Sequence, residues 1–152
     1  MSQAQQFCTF YLGPLFLGLE VERVQEVIRW QQMTRVPLAS RDVSGLINLR
    51  GRIVTAVDLR RRLNMEDRPA DQKPMNVVVR TEDGAVSLLV DEIGDVLETT
   101  EESFERVPET LSAEARSLIR GVHKLKGRLL LVLDADQAVQ LGKSAGGSET
   151  RK

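Results

Sequence analysis

The middle and the end of this chain carry nearly the same sequence. Residues 45–63 read GLINLRGRIVTAVDLRRRL, and residues 121–139 read GVHKLKGRLLLVLDADQAV. Five residues recur identically between them, namely Gly45/Gly121, Leu49/Leu125, Gly51/Gly127, Arg52/Arg128 and Asp58/Asp134. A repeat that is used only twice is typical of a duplicated small domain rather than of a solenoid. The sequence therefore predicts two copies of one unit of about 65 residues.

A second pair of matching segments precedes the two copies. VQEV at 24–27 and RVP at 35–37 are echoed by VDEI at 90–93 and RVP at 106–108. The spacing between these segments differs from copy to copy, and such insertions usually fall in loops. Because a unit of this size buries only a small core, we expect the two copies to share an apolar seam.

Composition excludes several classes of protein. The 152 residues are 41% hydrophobic and 28% charged, with a net charge of −1, so nothing indicates general attraction to nucleic acid or anionic membranes. No apolar run approaches the roughly 20 residues of a membrane span, and the N-terminus has no signal-type stretch. A single cysteine, Cys8, cannot form an internal disulfide. These features indicate a globular protein of the cytoplasm.

Glycine and proline turns divide the chain into short strands. Gly51 and Gly127 close the two repeated hairpins, where glycine supplies the positive φ of a tight turn. Asp58 and Asp134 are predicted N-caps of short helices over 59–63 and 135–141. The predicted strands are 5–12, 15–19, 26–30, 45–49, 52–57, 75–80, 85–91, 96–97, 119–126 and 128–133.

Many short strands with brief helices favour two small β-barrels. The polar segment 64–74 holds two prolines and is the predicted linker. The first barrel would then cover about 5–68 and the second about 74–141. Residues 1–4 and 142–152 are expected to be disordered.

Candidate catalytic residues are few. His123 is the only histidine and is predicted to be structural or exposed, and Cys8 lies in an alternating strand without an evident base. No phosphate-binding loop, nucleophile elbow or zinc-binding helix motif is present. Asp134 and Asp136 could suggest a cation site, but an N-cap explains both Asp58 and Asp134. We therefore expect no catalytic, cofactor-binding or metal-binding residues, and no enzymatic activity.

The main basic concentration consists of Arg50, Arg52 and the triplet Arg60–Arg62. One interpretation is a nucleic-acid-binding tandem barrel. The other is a solvated helix face that meets an acidic protein partner. The second is favoured, because only six residues are aromatic and the second copy replaces the triplet with Asp136-Gln137-Ala138.

Glu26 and Arg50 are polar residues inside the apolar segments VQEVI and INLRG, and Glu92 and Lys126 keep that character in the second copy. On adjacent strands such charges can meet. Two interpretations stay open, a simple surface ion pair and a pair that fixes loop geometry at a binding surface.

With VQEVI, RVP and GLINLRGRIVTAVDLRRRL, the chain resembles the CheW family of bacterial chemotaxis coupling proteins over about residues 5–141. The resemblance implies two five-stranded SH3-like β-barrels around a common apolar core, with strands that can be exchanged at the barrel boundary. It also implies a non-catalytic scaffold without cofactors, monomeric on its own. Its implied partners are the cytoplasmic hairpin tip of chemoreceptors and the regulatory domain of a CheA-type histidine kinase.

The resemblance assigns roles to individual positions. Glu26 and Arg50 are expected to form a salt bridge important for assembly, and Val24 and Gly45 match positions associated with receptor coupling. The kinase is expected to contact loops at the ends of the barrels. An apolar groove between the barrels would receive the receptor helix. The residues implied to line it are Ile53, Met75 and Val77.

Overall fold

A computed structural model of the chain describes residues 4–140. These residues form eleven β-strands, three α-helices and two 3-10 turns. The helices are α1 (Leu59–Arg62), α2 (Ala113–Leu118) and α3 (Ala135–Ala138), and the 3-10 turns are Val21–Arg23 and Glu101–Ser103. None of the helices in this part of the chain is long and apolar enough to span a membrane. Apart from Ala4, the termini predicted to be disordered lie outside the described residues.

The strands form two sheets. The first contains β1 (Gln5–Leu12), β2 (Leu15–Glu20), β8 (Glu92–Thr99), β9 (Phe104–Glu105), β10 (Ile119–Leu125) and β11 (Arg128–Leu133). The second contains β3 (Val24–Ile28), β4 (Val43–Leu49), β5 (Arg52–Asp58), β6 (Met75–Thr81) and β7 (Gly84–Val90). The predicted fold class, mainly β with two small sheets and short helices, is confirmed. The two-residue strand β9 adds a sixth strand to the first sheet.

The two copies of the repeat exchange their first hairpins. The first sheet has the order β8-β1-β2-β11-β10-β9, and the second has the order β3-β6-β7-β5-β4. Hairpin β1–β2 thus joins the later strands, and hairpin β6–β7 joins the earlier ones. In each case the second strand of the hairpin pairs in parallel with the strand before a short helix, β2 with β11 and β7 with β5.

Strands are exchanged between the two predicted units, as the resemblance allows. The segments 5–68 and 74–141 do not each form one sheet, because the predicted linker separates hairpin β6–β7 from the sheet to which it belongs. Each half therefore needs the other half's hairpin to complete its sheet. The strands of these hairpins carry buried apolar side chains on both faces, so they need packing partners on both sides.

Apolar side chains with a period of two create three cores. Alternate residues of β6 illustrate the pattern, since Val77 and Val79 face the core shared by both sheets whereas Val78 faces the interior of the second sheet. On β11, Leu131 belongs to the shared core and Leu130 to the interior of the first sheet. The shared core is the largest of the three, which satisfies the expectation of an apolar seam.

Both repeated hairpins turn at their glycines. Gly51 has a φ of 87° and Gly127 a φ of 86°, a region that glycine enters without strain. The side chain of Asp58 accepts a hydrogen bond from the backbone N–H of Arg60 at 3.0 Å. Asp134 accepts one from the N–H of Gln137 at 3.2 Å. The two aspartates therefore cap α1 and α3.

Candidate interaction surface

An ion pair joins Glu26 of β3 to Arg50 in the turn between β4 and β5. The guanidinium of Arg50 donates a hydrogen bond to Oε2 of Glu26, and this bond holds the pKa of the Glu26 carboxyl below its usual value. Strands β3 and β4 are the two edges of the second sheet, so the pair connects one edge strand to the turn that follows the other. The arginine side chain is 68% exposed, which leaves most of its surface open to a partner.

The second copy of the repeat does not reproduce this pair. Within residues 4–140, no salt bridge joins Glu92 to Lys126, the residues that match Glu26 and Arg50. Lys124 instead lies 3.7 Å from Glu105 of the short strand β9. The ion pair thus distinguishes two otherwise similar hairpins.

Arg50 borders an open cleft of about 810 Å³. One wall comes from the turn between β4 and β5 and contributes Arg50, Arg52 and Ile53, and the other comes from the turn between β6 and β7. Because β5 and β7 run parallel, the two turns lie side by side. Arg80 and Gly84 of the second wall are not identified from the sequence, although the Asp-Gly turn that follows Arg80 predicts the hairpin that places them there.

The three residues implied to line one groove lie in different environments. Ile53 is 66% exposed at the cleft, whereas Val77 is 1% exposed within the shared core. Met75 is half-buried and pairs with Val90, at the end of the hairpin opposite Gly84. Val77 is buried in the core between the two sheets, so its side chain is not accessible from the surface in this structure, and its role in a groove between the barrels stays a prediction. Of the three, Ile53 is the one the structure places at the cleft with Arg50.

Val24 and Gly45 lie in strands β3 and β4, the two edges of the second sheet. Val24 is half-buried and packs against the shared core. Gly45 is buried, and a Cβ atom there would lie 2.7 Å from the carbonyl oxygen of Thr34, which crosses over it. Gly121 is constrained too, since a Cβ there would overlap the ring of Phe104 and lie 2.9 Å from the carbonyl oxygen of Glu105. The recurrence of this glycine is explained by a chain segment that crosses the same strand in both copies.

Replacing Gly45 with alanine should lower the free energy of unfolding by about 1–3 kcal/mol, because the backbone at Thr34 must move away. Chemical denaturation in urea would measure the loss. The neighbouring change Ser44→Ala, which adds no atoms, serves as the control and should cost less than about 0.5 kcal/mol. If the Gly45→Ala variant is as stable as the wild type, the backbone at Thr34 can move away without a cost in free energy.

The arginine triplet is not a free basic surface. Arg60 forms a salt bridge with Asp91, Arg61 lies 3.1 Å from Asp67, and Arg62 is buried. The solvated helix face predicted for this triplet is therefore wrong for Arg60 and Arg62. Because carboxylates and carbonyl oxygens within the protein satisfy these guanidinium groups, the nucleic-acid interpretation is not supported either. The partners of Arg62 are Asp42, at 3.6 Å, and the backbone oxygens of Gln137 and Ala138.

The residues considered for catalysis have structural environments. His123 is 1% exposed between the rings of Phe7 and Phe104, and burial lowers its pKa. Its Nδ1 lies 2.7 Å from the Ser103 hydroxyl and its Nε2 lies 3.3 Å from the Thr99 hydroxyl.

Cys8 and the possible metal-binding side chains give no support for catalysis. Burial raises the pKa of the half-buried Cys8 thiol, which disfavours the reactive thiolate. Among the residues that the structure describes, no three His, Cys, Asp or Glu side chains are grouped to hold a metal ion.

Comparison with solved structures supports this architecture. A scaffolding protein, TtCheW from Thermoanaerobacter tengcongensis, superimposes with a TM-score of 0.77 over 87% of this chain and 90% of that chain. The two sequences are 24% identical, so the match speaks for the fold alone.

Sequence comparisons extend the likeness to a family. The model of the CheW-like domain matches residues 6–142. The chemotaxis protein CheW of Bacillus subtilis is 32% identical over 132 residues, which cover 87% of this chain and 85% of that protein. The chemotaxis protein CheW of Klebsiella aerogenes is 30% identical over 133 residues, 88% of this chain and 80% of that protein. The chain therefore belongs to the CheW-like domain family of chemotaxis proteins.

Proposed function

We propose that this chain is a non-catalytic cytoplasmic adaptor that couples the hairpin tips of chemoreceptors to a CheA-type histidine kinase. Relatives named chemotaxis protein CheW support an adaptor role in chemotaxis, and the fold is the one expected of such a protein. The observation that carries the proposal is the Glu26–Arg50 pair, which holds an exposed cation beside the exposed side chain of Ile53. The adaptor is monomeric before it meets its partners.

The cleft is the proposed receptor site. A helix that docks in a groove needs an apolar anchor point and polar groups at fixed positions around it. Ile53 supplies the apolar point. The charged residues at the rim around it are Arg50, Arg52, Arg80 and Asp83, so cations predominate. Such a rim favours a receptor helix with acidic side chains next to its apolar anchor, and it selects the partner more than it adds affinity.

The kinase regulatory domain contacts loops at the ends of the barrels other than the two turns that form this cleft. To transmit a signal, receptor, adaptor and kinase must bind with different free energies in the on and off arrangements. The exchanged hairpins suit this task, because they tie both sheets to one shared core and so hold the two partner sites in one geometry.

Isothermal titration calorimetry with a receptor tip hairpin and a kinase regulatory domain from the same organism tests the proposal. Ile53→Asp should weaken receptor-tip binding about tenfold or more, since it removes the apolar anchor, and should leave the affinity for the kinase domain unchanged. Leu129→Asp is the matched control, because Leu129 is the exposed residue at the equivalent position of the other sheet. A wild-type protein that binds neither partner would overturn the proposal.

A further inference from the structure

We propose that Asn48 is a positioning residue that holds Arg50 in the orientation required for the Glu26 pair, an inference that rests on the proposed function for its binding consequence. The side chain of Asn48 is exposed, so its place in the sequence is not explained by packing. Its Oδ1 accepts a hydrogen bond from the backbone N–H of Gly51 at 2.8 Å. The ring that this bond closes contains Leu49 and Arg50, so it connects the end of β4 to the turn between β4 and β5.

The conformation of the turn shows what this bond has to hold. Arg50 has a φ of 54° and Gly51 a φ of 87°, as a tight hairpin turn with two left-handed residues requires. Glycine enters that region without cost, but an arginine is disfavoured there by its Cβ atom. A local hydrogen bond from an asparagine side chain is a recognised way to stabilise a turn of this kind.

The second copy of the hairpin is an internal comparison. Lys124 stands where the first copy has Asn48, and a lysine cannot accept a hydrogen bond from the turn. In that hairpin Gly127 has a positive φ. The φ of Lys126, which matches Arg50, is not positive. Within the described chain, Lys126 also makes no salt bridge with Glu92. The side-chain acceptor, the positive φ of the basic residue and the ion pair are thus present together in the first hairpin. In the described part of the second hairpin all three are missing.

Asn48→Ala should change two measurements on the full-length protein. In an NMR titration of the carboxyl groups, the pKa of Glu26 should rise toward its ordinary value of about 4.3. In calorimetry, the dissociation constant for a receptor tip hairpin should increase about threefold to tenfold, the effect expected of one lost hydrogen bond. Asn48→Asp keeps the acceptor and should retain protection of the Gly51 amide from hydrogen exchange, and Lys124→Ala should change neither measurement.

A double-mutant cycle separates this role from a purely structural one. In an Arg50→Ala background, Asn48→Ala should have no further effect on receptor-tip affinity, because no guanidinium remains to be positioned. An unchanged Glu26 pKa in Asn48→Ala, or an equal loss of affinity in both backgrounds, would overturn the proposal. The pKa measurement needs no partner, so it decides the matter even if the wild-type protein binds no receptor tip.

Discussion

Replacing Asp91 with alanine should lower the free energy of unfolding by about 3–5 kcal/mol, because the change leaves buried guanidinium groups without their carboxylate. The side chain of Asp91 is 5% exposed. It accepts hydrogen bonds from the N–H of Gly13 at 2.7 Å, from Nε of Arg60 at 2.9 Å and from Nε of Arg68 at 3.0 Å. Removing one partner from such a site costs more than the pair itself contributes.

The Asp91 carboxylate has partners in several elements, so its removal should destabilise the whole fold. Gly13 lies in the turn of the exchanged hairpin β1–β2, Arg60 lies in α1, and Arg68 lies in the linker. Arg68 also lies 3.2 Å from Asp58, at the end of β5. Asp91 therefore connects both sheets to the segment between them. The repeat places Gln25 at the matching position of the first copy, so this anchor exists once.

Urea denaturation of Asp91→Ala and wild type at pH 7 measures this effect. Asp136→Asn is the control, because its exposed pair with Arg23 should contribute less than about 1 kcal/mol. A loss below that limit for Asp91→Ala would contradict the proposed anchoring role.

The contribution of Asp91 should also depend on pH. Burial alone would raise the pKa of the Asp91 carboxyl, but hydrogen bonds from Arg60, Gly13 and Arg68 bring the pKa below its usual value. A carboxyl whose pKa is lower in the folded state adds stability above its unfolded pKa of about 3.9. That stability is lost as the pH falls through the lower, folded-state pKa. The difference between wild type and Asp91→Ala should therefore shrink below about pH 4.

Arg50→Glu should weaken receptor-tip binding about tenfold or more while the protein stays folded, since the new carboxylate faces Glu26 and repels it. Adding Glu26→Arg restores the opposite charges in reversed positions and should recover part of the affinity. Calorimetry for binding and circular dichroism for folding measure both effects.

Lys126→Glu is the matched control for this reversal, because it makes the same change of charge in the equivalent turn of the other hairpin. It should leave receptor-tip affinity near the wild-type value. If Arg50→Glu and Lys126→Glu weaken binding equally, net charge rather than the ion pair is responsible. If Arg50→Glu binds as tightly as the wild type, the pair is not part of the binding surface.

Local features of this fold were predictable from the sequence. The hairpin turns at Gly51 and Gly127 depend on one residue that tolerates a positive φ, and the caps at Asp58 and Asp134 depend on a side chain two or three residues from its partner. The strands follow from alternation with a period of two. Glu26 and Arg50 can be identified from the sequence because each is a charged residue within an apolar segment. In the structure they form a salt bridge.

Features that depend on distant parts of the chain were not predictable in this way. The family resemblance allows strands to be exchanged, but the strands have similar patterns and the linker does not show which sheet the next hairpin joins. The burial of Arg62 depends on Asp42 and on the backbone near Ala138, which lie far from it in sequence. Val77 shows the same limit, since alternation places it on one face of its strand but does not say what covers that face.

The proposed function requires one adaptor to hold a receptor tip and a kinase regulatory domain at the same time. Sedimentation velocity on a mixture of the three purified components tests it most directly. We expect a ternary species that contains all three components and that disappears when the adaptor is left out. A mixture in which the receptor tip displaces the kinase domain from the adaptor, or in which no ternary species forms, would contradict it.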